Sequence, residues 1–257
     1  MTSGWDFTGR AALVTGASRG IGLAIAEELA RAGAAVTIMS RKADDIAAAG
    51  EALTSSVSGA KVLAVAGNAG HDEDREEVVR RTMEEFGRLD ILINNTGINP
   101  VYGPLAEADL AAVRKIFDVN VVAALGFVQL ALKAWMAEHG GNVVNVSSVG
   151  GLRSTGVIGA YGASKAAMNH LTMELAWQLG PGVRVNGIAP ATVKTKFAEA
   201  LYVGREEDAA AVYPMKRLGS PEDIAHLVAF LVSDQASWIT GETVRIDGGL
   251  LATGTLG

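Results

Sequence analysis

The segment AALVTGASRGIGLAIAEELARAG (11–33) passes from a short apolar run into a glycine-rich turn and then into an amphipathic stretch. The run AALVT (11–15) has the length of a buried strand. In IGLAIAEELARAG (21–33), apolar residues recur at steps of three and four residues, and the final glycine suits a helix C-cap. The turn TGASRGIG (15–22) lets the chain bend sharply before a helix N-terminus, which attracts anions. The segment therefore predicts the first strand–turn–helix unit of an α/β domain.

Strand and helix continue to alternate along the rest of the chain. Further apolar runs that predict strands are AVTIM (35–39), KVLAV (61–65), LDILIN (89–94), NVVNVS (142–147), VRVNGIA (183–189) and TVRID (243–247). This alternation favours right-handed crossovers between parallel strands, with helices covering both faces of the sheet. No linker or internal repeat divides the sequence, so we predict a single doubly wound α/β domain over residues 1–257.

The composition argues against several classes of function. A formal charge of -6 without a cluster of Lys and Arg disfavours nucleic-acid binding. The lack of cysteine excludes disulfides and thiolate metal sites, and the histidines are not spaced for a metal: His71, His139, His170 and His226. No stretch approaches the roughly 20 uninterrupted apolar residues of a membrane helix, and the N-terminus does not resemble a signal peptide. We therefore expect a cytoplasmic protein with no metal, membrane or nucleic-acid partner.

The glycine-rich turn lies where ligands of such sheets bind, outside the carboxyl ends of the strands. Gly16, Gly20 and Gly22 would let backbone amides approach a phosphate, although a purely structural turn is the alternative. At the end of the second strand, sites for NAD often have a carboxylate that accepts from the ribose 2′-OH. The sequence has Ser40 and Arg41 there instead. A hydroxyl and a guanidinium suit a 2′-phosphate.

Arg19 in the turn could add a second cation, so these residues favour NADP(H) over NAD(H). The alternative is that Arg41 and Lys42 only open a solvated helix, balanced by the acidic residues that follow them. A separate signal is YGASK (161–165), in which a tyrosine and a lysine four residues apart would share one face of a helix. An ordinary surface pair has the same spacing.

Three motifs in this order resemble the short-chain dehydrogenase/reductase family. TGASRGIG (15–22) is similar to its cofactor loop, NNTG (94–97) to the segment after its fourth strand, and YGASK (161–165) to its catalytic motif. The resemblance extends from about Phe7 to Gly249. It implies a Rossmann-type fold with a seven-stranded parallel sheet in the order 3-2-1-4-5-6-7, and a likeness to 3-oxoacyl-carrier-protein reductases and NADPH-dependent carbonyl reductases.

The resemblance also implies a catalytic set of Asn120, Ser148, Tyr161 and Lys165. Ser148 stands 13 positions before Tyr161, and strand alternation would point Ser147 the other way. A tyrosine is a poor proton donor near neutral pH unless a cation stabilises its phenolate, so we expect Lys165 to lower the pKa of Tyr161. Tyr161 would then protonate a substrate oxygen to which Ser148 donates a hydrogen bond. Lys165 would hold the nicotinamide ribose, and Asn120 would link Lys165 to solvent through a water.

The cofactor contacts implied by the resemblance are Gly16, Ser18, Arg19, Gly20, Ile21, Gly22, Ser40, Arg41, Asn68, Asn95, Gly97, Tyr161, Lys165, Pro190, Val193 and Thr195. The chain departs from the family's pattern at four positions. Asn68-Ala69 replaces Asp-Val, and Asn68 could still accept from the adenine amino group. Ala191 replaces a glycine, which restricts positive φ, and Thr96 replaces an alanine. For Asn94, a residue bridging strands and a direct cofactor contact are both open.

The segment 192–216 corresponds to the family's substrate lid. Apolar and aromatic residues that could wall a pocket are Phe197, Leu201, Tyr202, Val212, Tyr213 and Met215, joined at the mouth by Tyr102 and Leu105. A helical pair packed on the core is the alternative, and both can hold. The stretches WMAEHGGN (135–142) and AWQLGPG (176–182) have no arginine to dock an acidic carrier, so a small carbonyl or alcohol substrate is favoured over acyl carrier protein.

Other functions remain to be distinguished from an NADP(H)-dependent reductase. An NAD(H)-dependent alcohol dehydrogenase of the same family is one alternative, and a catalytically idle NADP(H)-binding interaction module is another. A different binder on a Rossmann-like sheet, such as a methyltransferase, would have no need of the four catalytic residues. The resemblance implies a homotetramer, with the apolar segment 239–257 expected in a subunit contact.

Overall fold

The computed structural model describes residues 4–252, and its centre is one seven-stranded sheet. All strands pair in parallel, in the order β3-β2-β1-β4-β5-β6-β7. The strands are β1 (Ala11–Thr15), β2 (Ala35–Ser40), β3 (Val62–Ala66), β4 (Ile91–Asn94), β5 (Gly141–Val146), β6 (Val183–Pro190) and β7 (Thr243–Ile246). The predicted fold class and strand order are therefore confirmed, and the strand ends differ from the prediction by one or two residues.

Helices cover both faces of the sheet. They are α1 (Gly20–Arg31), α2 (Ala43–Ser56), α3 (Asp72–Phe86), α4 (Leu110–Phe117), α5 (Ala123–Ala131), α6 (Ala137–His139), α7 (Gly159–Leu179), α8 (Glu206–Ala211) and α9 (Pro221–Val232). Short 3₁₀ turns lie between several of them, including Val149–Gly151 after β5 and Lys196–Leu201 after β6.

The alternation of side chains along β1 divides the core in two. Ala12 and Val14 face a cluster that includes residues of α1, α2 and α9, whereas Leu13 faces a cluster with residues of α3, α5 and α7. Successive strand residues point to opposite faces, and both faces are covered, so β1 is buried throughout. This explains why its sequence is an unbroken apolar run. Because all strands run in parallel, the polar residues that follow them lie together at one edge of the sheet.

A single helical stretch, Leu110–His139, includes α4, α5 and α6 together with two π-helical turns at Asp118–Val122 and Leu132–Met136. By length and composition it is the one helix within residues 4–252 that could cross a membrane, and 44% of its most apolar window is buried. Phe127 and Ala131 pack in the core on the α3 side of the sheet. Part of its apolar surface is thus buried against the sheet.

Candidate active site

The glycine-rich turn forms a close-fitting cradle at the carboxyl end of β1. Gly16 and Gly20 have φ of 66° and 60°, in the left-handed region that favours glycine. A Cβ on Gly22 would lie 2.5 Å from Nδ2 of Asn95 and 2.7 Å from the carbonyl oxygen of Gly16. One on Gly20 would lie 3.1 Å from Cγ2 of Thr195. Since no acidic residue lies in the first turn of α1, its backbone N–H groups fit the phosphates of a dinucleotide.

The turn is braced by β4 through hydrogen bonds that join two strand ends. Asn95 Nδ2 donates to the carbonyl oxygens of Thr15 at 2.8 Å and Gly16 at 3.1 Å. The buried Thr15 Oγ1 accepts from the N–H groups of Asn95 and Thr96, both at 3.0 Å. Asn95, predicted to contact the cofactor, therefore shapes the loop. Thr15 was not identified from the sequence, in which its only signal is a hydroxyl at the end of an apolar strand.

The residues of the predicted catalytic motif come together at the start of α7. Lys165 Nζ lies 5.6 Å from the centre of the Tyr161 ring, as the spacing of the motif predicts, and donates to the carbonyl oxygen of Val146 at 2.7 Å. The Ser148 hydroxyl accepts from the N–H of Gly150 at 3.1 Å and lies near enough to Tyr161 to lower the pKa of the phenol. Ser147 Oγ instead donates to the carbonyl oxygen of Lys165 at 3.2 Å. The two serines thus have different partners, as strand alternation predicts.

Glycines let α7 approach the turn that follows β5. A Cβ on Gly162 would lie 2.6 Å from the carbonyl oxygen of Gly150, and one on Gly151 would lie 2.7 Å from the carbonyl carbon of Lys165. Contacts this short would push the helix and the turn apart. The small residues around YGASK therefore allow Tyr161 to reach Ser148.

Burial controls the protonation of both groups. It raises the pKa of Tyr161 to about 12, an effect that Ser148 opposes and the nearby Tyr102 increases. Burial also lowers the pKa of Lys165 to about 8. The prediction that the phenol has a lowered pKa is therefore wrong, because removing water from the phenolate outweighs the opposing effect of Ser148.

Asn120 is buried in the first π-helical turn, and its amide binds backbone and a serine. Its Oδ1 accepts from the N–H of Ile98 at 2.8 Å, while Nδ2 donates to the Ile98 carbonyl at 3.1 Å and to Ser164 Oγ at 3.0 Å. A Cβ on Gly97 would lie 3.6 Å from Asn120 Oδ1 and 3.5 Å from Lys165 Nζ. The two predicted catalytic groups thus flank Gly97 without a direct hydrogen bond.

Asn94 belongs to a buried polar chain that runs from β4 to α7. Its Nδ2 donates to the carbonyl of Ala124 at 3.2 Å and to Asn145 Oδ1 at 3.0 Å. Asn145 Nδ2 in turn donates to Thr172 Oγ1 at 3.0 Å. Of the two interpretations left open by the sequence, this arrangement favours a residue that bridges strands. Asn145 and Thr172 were not identified from sequence, although an asparagine inside an apolar strand is a visible signal.

The cationic residues beside the second strand are accessible. Ser40 ends β2 and is half-buried, and Arg41 next to it is exposed, as is Arg19 before α1. Within residues 4–252, neither arginine forms an ion pair with a carboxylate. The exposure of Arg41 agrees both with a phosphate site and with the start of a solvated helix. The other predicted loop contacts, Ser18 and Ile21, are half-buried.

The remaining predicted cofactor residues follow β3 and β6. Asn68 Oδ1 accepts from the N–H of Gly70 at 3.1 Å and has a second lone pair. Pro190 ends β6, and Val193 is buried at the start of the lid. Thr195 is the last of the predicted cofactor residues, and its methyl group lies over the glycine turn. The departure at Ala191 causes no strain, because Ala191 is not among the described residues with positive φ.

The predicted lid is tied at both ends to one point of the fold. Val193 and Gly219 form a parallel bridge, in which the N–H of Lys194 donates to the Gly219 carbonyl at 2.9 Å. An ion pair of Lys194 with Glu206 connects this point to α8. The chain between Val193 and Gly219 is thus a loop whose two ends are joined, and it includes α8 and a 3₁₀ turn.

Aromatic side chains of the lid and of the loop after β4 surround Tyr161. The Phe197 ring lies 6.1 Å from the Tyr161 ring and is 59% exposed, and Tyr102 is 63% exposed. Leu105 packs against Gly159 at the start of α7. Tyr213 was expected in the pocket wall but is buried, with its hydroxyl accepting from the N–H of Thr192 at 3.3 Å. The other predicted wall residues are exposed or half-buried: Leu201, Tyr202, Val212 and Met215.

Comparison with known proteins gives extensive matches. A family model described as enoyl-(acyl carrier protein) reductase matches residues 16–251. A Caenorhabditis elegans protein named dehydrogenase/reductase SDR family member 4 is 39% identical over 255 residues, which are 96% of each chain. The chain belongs to the short-chain dehydrogenase/reductase family. Tropinone reductase-like 3 of Erythroxylum coca is 38% identical over 250 residues, 96% of this chain and 95% of the relative.

Solved structures of the family agree with the fold. A short-chain type dehydrogenase/reductase from Mycobacterium ulcerans superposes with a TM-score of 0.91 at 31% identity, covering 96% of this chain and 91% of its own. A short-chain dehydrogenase/reductase from Brucella melitensis gives a TM-score of 0.89 at 32% identity, with 96% and 98% coverage. The resemblance inferred from three motifs is thus confirmed. As a short-chain dehydrogenase/reductase, the protein is an oxidoreductase that uses a nicotinamide cofactor on small molecules.

Proposed function

We propose that this short-chain dehydrogenase/reductase is an NADP(H)-dependent reductase that converts a ketone or 3-oxoacyl carbonyl to an alcohol. The observation that carries the proposal is the buried Tyr161, whose phenol interacts with Ser148 and lies beside Lys165. A hydroxyl pair of this kind can bind one carbonyl oxygen from two sides. The glycine turn at the same sheet edge supplies the place for a dinucleotide.

The acid–base chemistry follows from the two shifted pKa values. When bound, the reduced nicotinamide supplies a hydride to the carbonyl carbon. Tyr161 gives its hydroxyl proton to the carbonyl oxygen, and Ser148 donates a hydrogen bond to that oxygen. With a pKa of about 8, the Lys165 ammonium is a stronger acid than a phenol with a pKa of about 12. Lys165 can therefore return a proton to the phenolate that Tyr161 becomes after it has given up its own.

The preference for NADP(H) rests on the cations at the end of β2. Arg41 and Arg19 are exposed and free of carboxylate partners within residues 4–252, and Ser40 offers a hydroxyl between them and the sheet. A doubly charged 2′-phosphate would bind such guanidinium groups with charge-assisted hydrogen bonds. An unesterified ribose would find no acidic acceptor at the end of β2.

The substrate proposal rests on the surroundings of Tyr161. Phe197 and Tyr102 offer exposed aromatic surface beside the phenol, which suits a carbonyl with an apolar substituent. The Erythroxylum coca relative is named tropinone reductase-like 3, and tropinone is a ketone, which agrees with this class of substrate. Delivery by acyl carrier protein is not favoured, because the segments 135–142 and 176–182 contain no arginine.

A turnover assay with a matched variant tests the proposal. We expect NADPH absorbance to fall in the presence of a panel of ketones, 3-oxoacyl thioesters and quinones, and NADH to react more slowly. Tyr161→Phe should lower turnover by about 100-fold or more and leave the Kd for NADPH unchanged, while Arg41→Ala should weaken NADPH binding and not NADH binding. NADPH binding without turnover in either direction would instead support an idle binding module.

We also propose that the protein is a homotetramer. In the described residues, β7 is an edge strand paired only with β6, and Met173, Trp177 and Trp238 are 51%, 88% and 98% exposed. Unpaired edges and exposed aromatic residues are common features of subunit contacts. Part of the segment 239–257 predicted for a contact, residues 253–257, lies outside the described residues. Sedimentation equilibrium would test the stoichiometry, and a monomer would refute it.

A further inference from the structure

The loop after β3 holds the Asn68 side chain in one orientation. Asn68 Oδ1 accepts from the N–H of Gly70 at 3.1 Å, and Asn68 Nδ2 lies 3.2 Å from Nε2 of His71. The first partner is a donor and requires the oxygen, so the second must receive the amide hydrogen. Lys115 Nζ and Asn68 Oδ1 both lie within 3.5 Å of the point where a Cβ on Gly70 would stand, which places a cation on the oxygen side. The positions of the oxygen and the nitrogen of the Asn68 amide are therefore assigned.

An aspartate fixes which nitrogen of His71 accepts. Asp74 Oδ2 lies 3.5 Å from Nδ1 of His71, so a neutral ring keeps its proton on Nδ1 and leaves Nε2 as an acceptor. The same carboxylate oxygen accepts from the backbone N–H of Asn68 at 2.8 Å. Asp74 thus links the ring and the backbone of the loop.

The backbone of the loop is also held from the sheet and from α3. The N–H of Gly67 donates to the carbonyl of Ser40 at 2.9 Å, and the buried Arg75 donates from Nη1 to the carbonyl of Ala69 at 2.7 Å. The loop is therefore tied to the strand end at which the 2′-phosphate is proposed to bind. The loop backbone is therefore fixed, and the Asn68 amide can be reversed only by rotation of the side chain itself.

We propose that His71 is a positioning residue that makes Asn68 select a 6-aminopurine, as in adenine, over a 6-oxopurine, as in hypoxanthine. The inference rests on the proposed function, because it assumes that the dinucleotide lies along this sheet edge. Asn68 keeps one lone pair on Oδ1 and one hydrogen on Nδ2. An asparagine can bind the Watson–Crick edge of adenine through both, accepting from the N6 amino group and donating to N1.

A 6-oxopurine reverses both contacts, because its C6 oxygen is an acceptor facing Oδ1 and its N1 carries a hydrogen facing Nδ2. An amide free to turn over would restore both hydrogen bonds by presenting Nδ2 to the C6 oxygen and Oδ1 to N1–H. The hydrogen bonds to Gly70 and His71 oppose this rotation, so the locked amide discriminates between the two bases. An aspartate at this position would accept from N6 but could not donate to the ring nitrogen.

The experiment compares equilibrium binding of NADPH and its hypoxanthine analogue, reduced nicotinamide hypoxanthine dinucleotide phosphate, by titration calorimetry. We expect the wild-type protein to bind NADPH about tenfold more tightly. Because one hydrogen bond that locks the amide is lost, His71→Ala should reduce this ratio to about twofold. His71→Gln offers an acceptor at similar reach and should retain most of the ratio, whereas Asn68→Ala should abolish it.

The variants are chosen so that stability does not confuse the result. His71 precedes α3 without forming a side-chain cap, so its replacement leaves the helix terminus intact. His170→Ala on the exposed face of α7 is the matched control and should leave the ratio at the wild-type value. Equal affinity of the wild-type protein for the two nucleotides, or an unchanged ratio in His71→Ala, would overturn the inference alone. Failure to bind NADPH at all would overturn the proposed function with it.

Discussion

Replacing Lys165 by methionine should stabilise the fold while abolishing turnover. Lys165 is 3% exposed, and burial lowers its pKa from 10.5 to about 8. A shift of this size corresponds to about 3 kcal/mol by which the charged lysine destabilises the folded state. Methionine loses the hydrogen bond from the charged Nζ to the Val146 carbonyl, worth about 2 kcal/mol. We therefore expect Lys165→Met to raise the free energy of unfolding by about 1 kcal/mol at pH 7.

The sign of the pH dependence follows from the direction of the shift. The folded-state pKa of about 8 lies below the unfolded value of 10.5, so the unfolded chain binds the extra proton between these two values. The stability of the wild-type protein should therefore rise relative to Lys165→Met as the pH increases from 8 toward 10.5. Below pH 8 the lysine is charged in both states, and the destabilisation is fully present.

Urea denaturation of both proteins at several pH values would measure this difference. Lys133→Met is the control, because Lys133 is exposed. The difference in stability between this variant and the wild-type protein should be the same at pH 8 and at pH 10. The reasoning would be refuted if Lys165→Met were less stable than the wild-type protein at pH 7. A stability difference that stayed constant up to pH 10 would refute it equally.

Two further predictions concern the cofactor turn and the lid. Gly22→Ala should weaken NADPH binding by about tenfold or more and reduce stability by about 1–3 kcal/mol, because its Cβ would lie 2.5 Å from Asn95 Nδ2. Calorimetry and thermal unfolding would measure both, and wild-type values would show that the turn can relax. Phe197→Ala should raise KM for an apolar ketone by about tenfold with little change in kcat, because the ring lies beside Tyr161 without contacting the reacting atoms. A fall in kcat at unchanged KM would contradict this role.

Much of the candidate site could be predicted because its signals are local. The spacing of Tyr161 and Lys165 on one helix fixes their proximity, and the placement of Ser148 after a strand fixes its direction against Ser147. The glycine turn follows a strand and precedes a helix, which limits its conformation. These relations span a few residues, so the sequence is sufficient for them.

The braces of the site could not be predicted in the same way, because each joins residues far apart along the chain. Asn95 bonds to Thr15 across two adjacent strand ends, and Asn145 bonds to Thr172 between a strand and a helix. Tyr213 shows the same limit, since the lid carries it inward to Thr192 rather than to the pocket mouth. Side-chain type alone does not specify such partners.

The sequence by itself determined the parallel α/β architecture, the glycine turn and the shared helix of Tyr161 and Lys165, because periodicity and steric rules act over short distances. Only the tertiary structure decided the pKa values of those two side chains. Burial at the junction of β5, α7 and the lid raises the pKa of Tyr161 and lowers that of Lys165. Loss of solvent depends on every element packed around the two side chains, and their spacing in the sequence carries no measure of it.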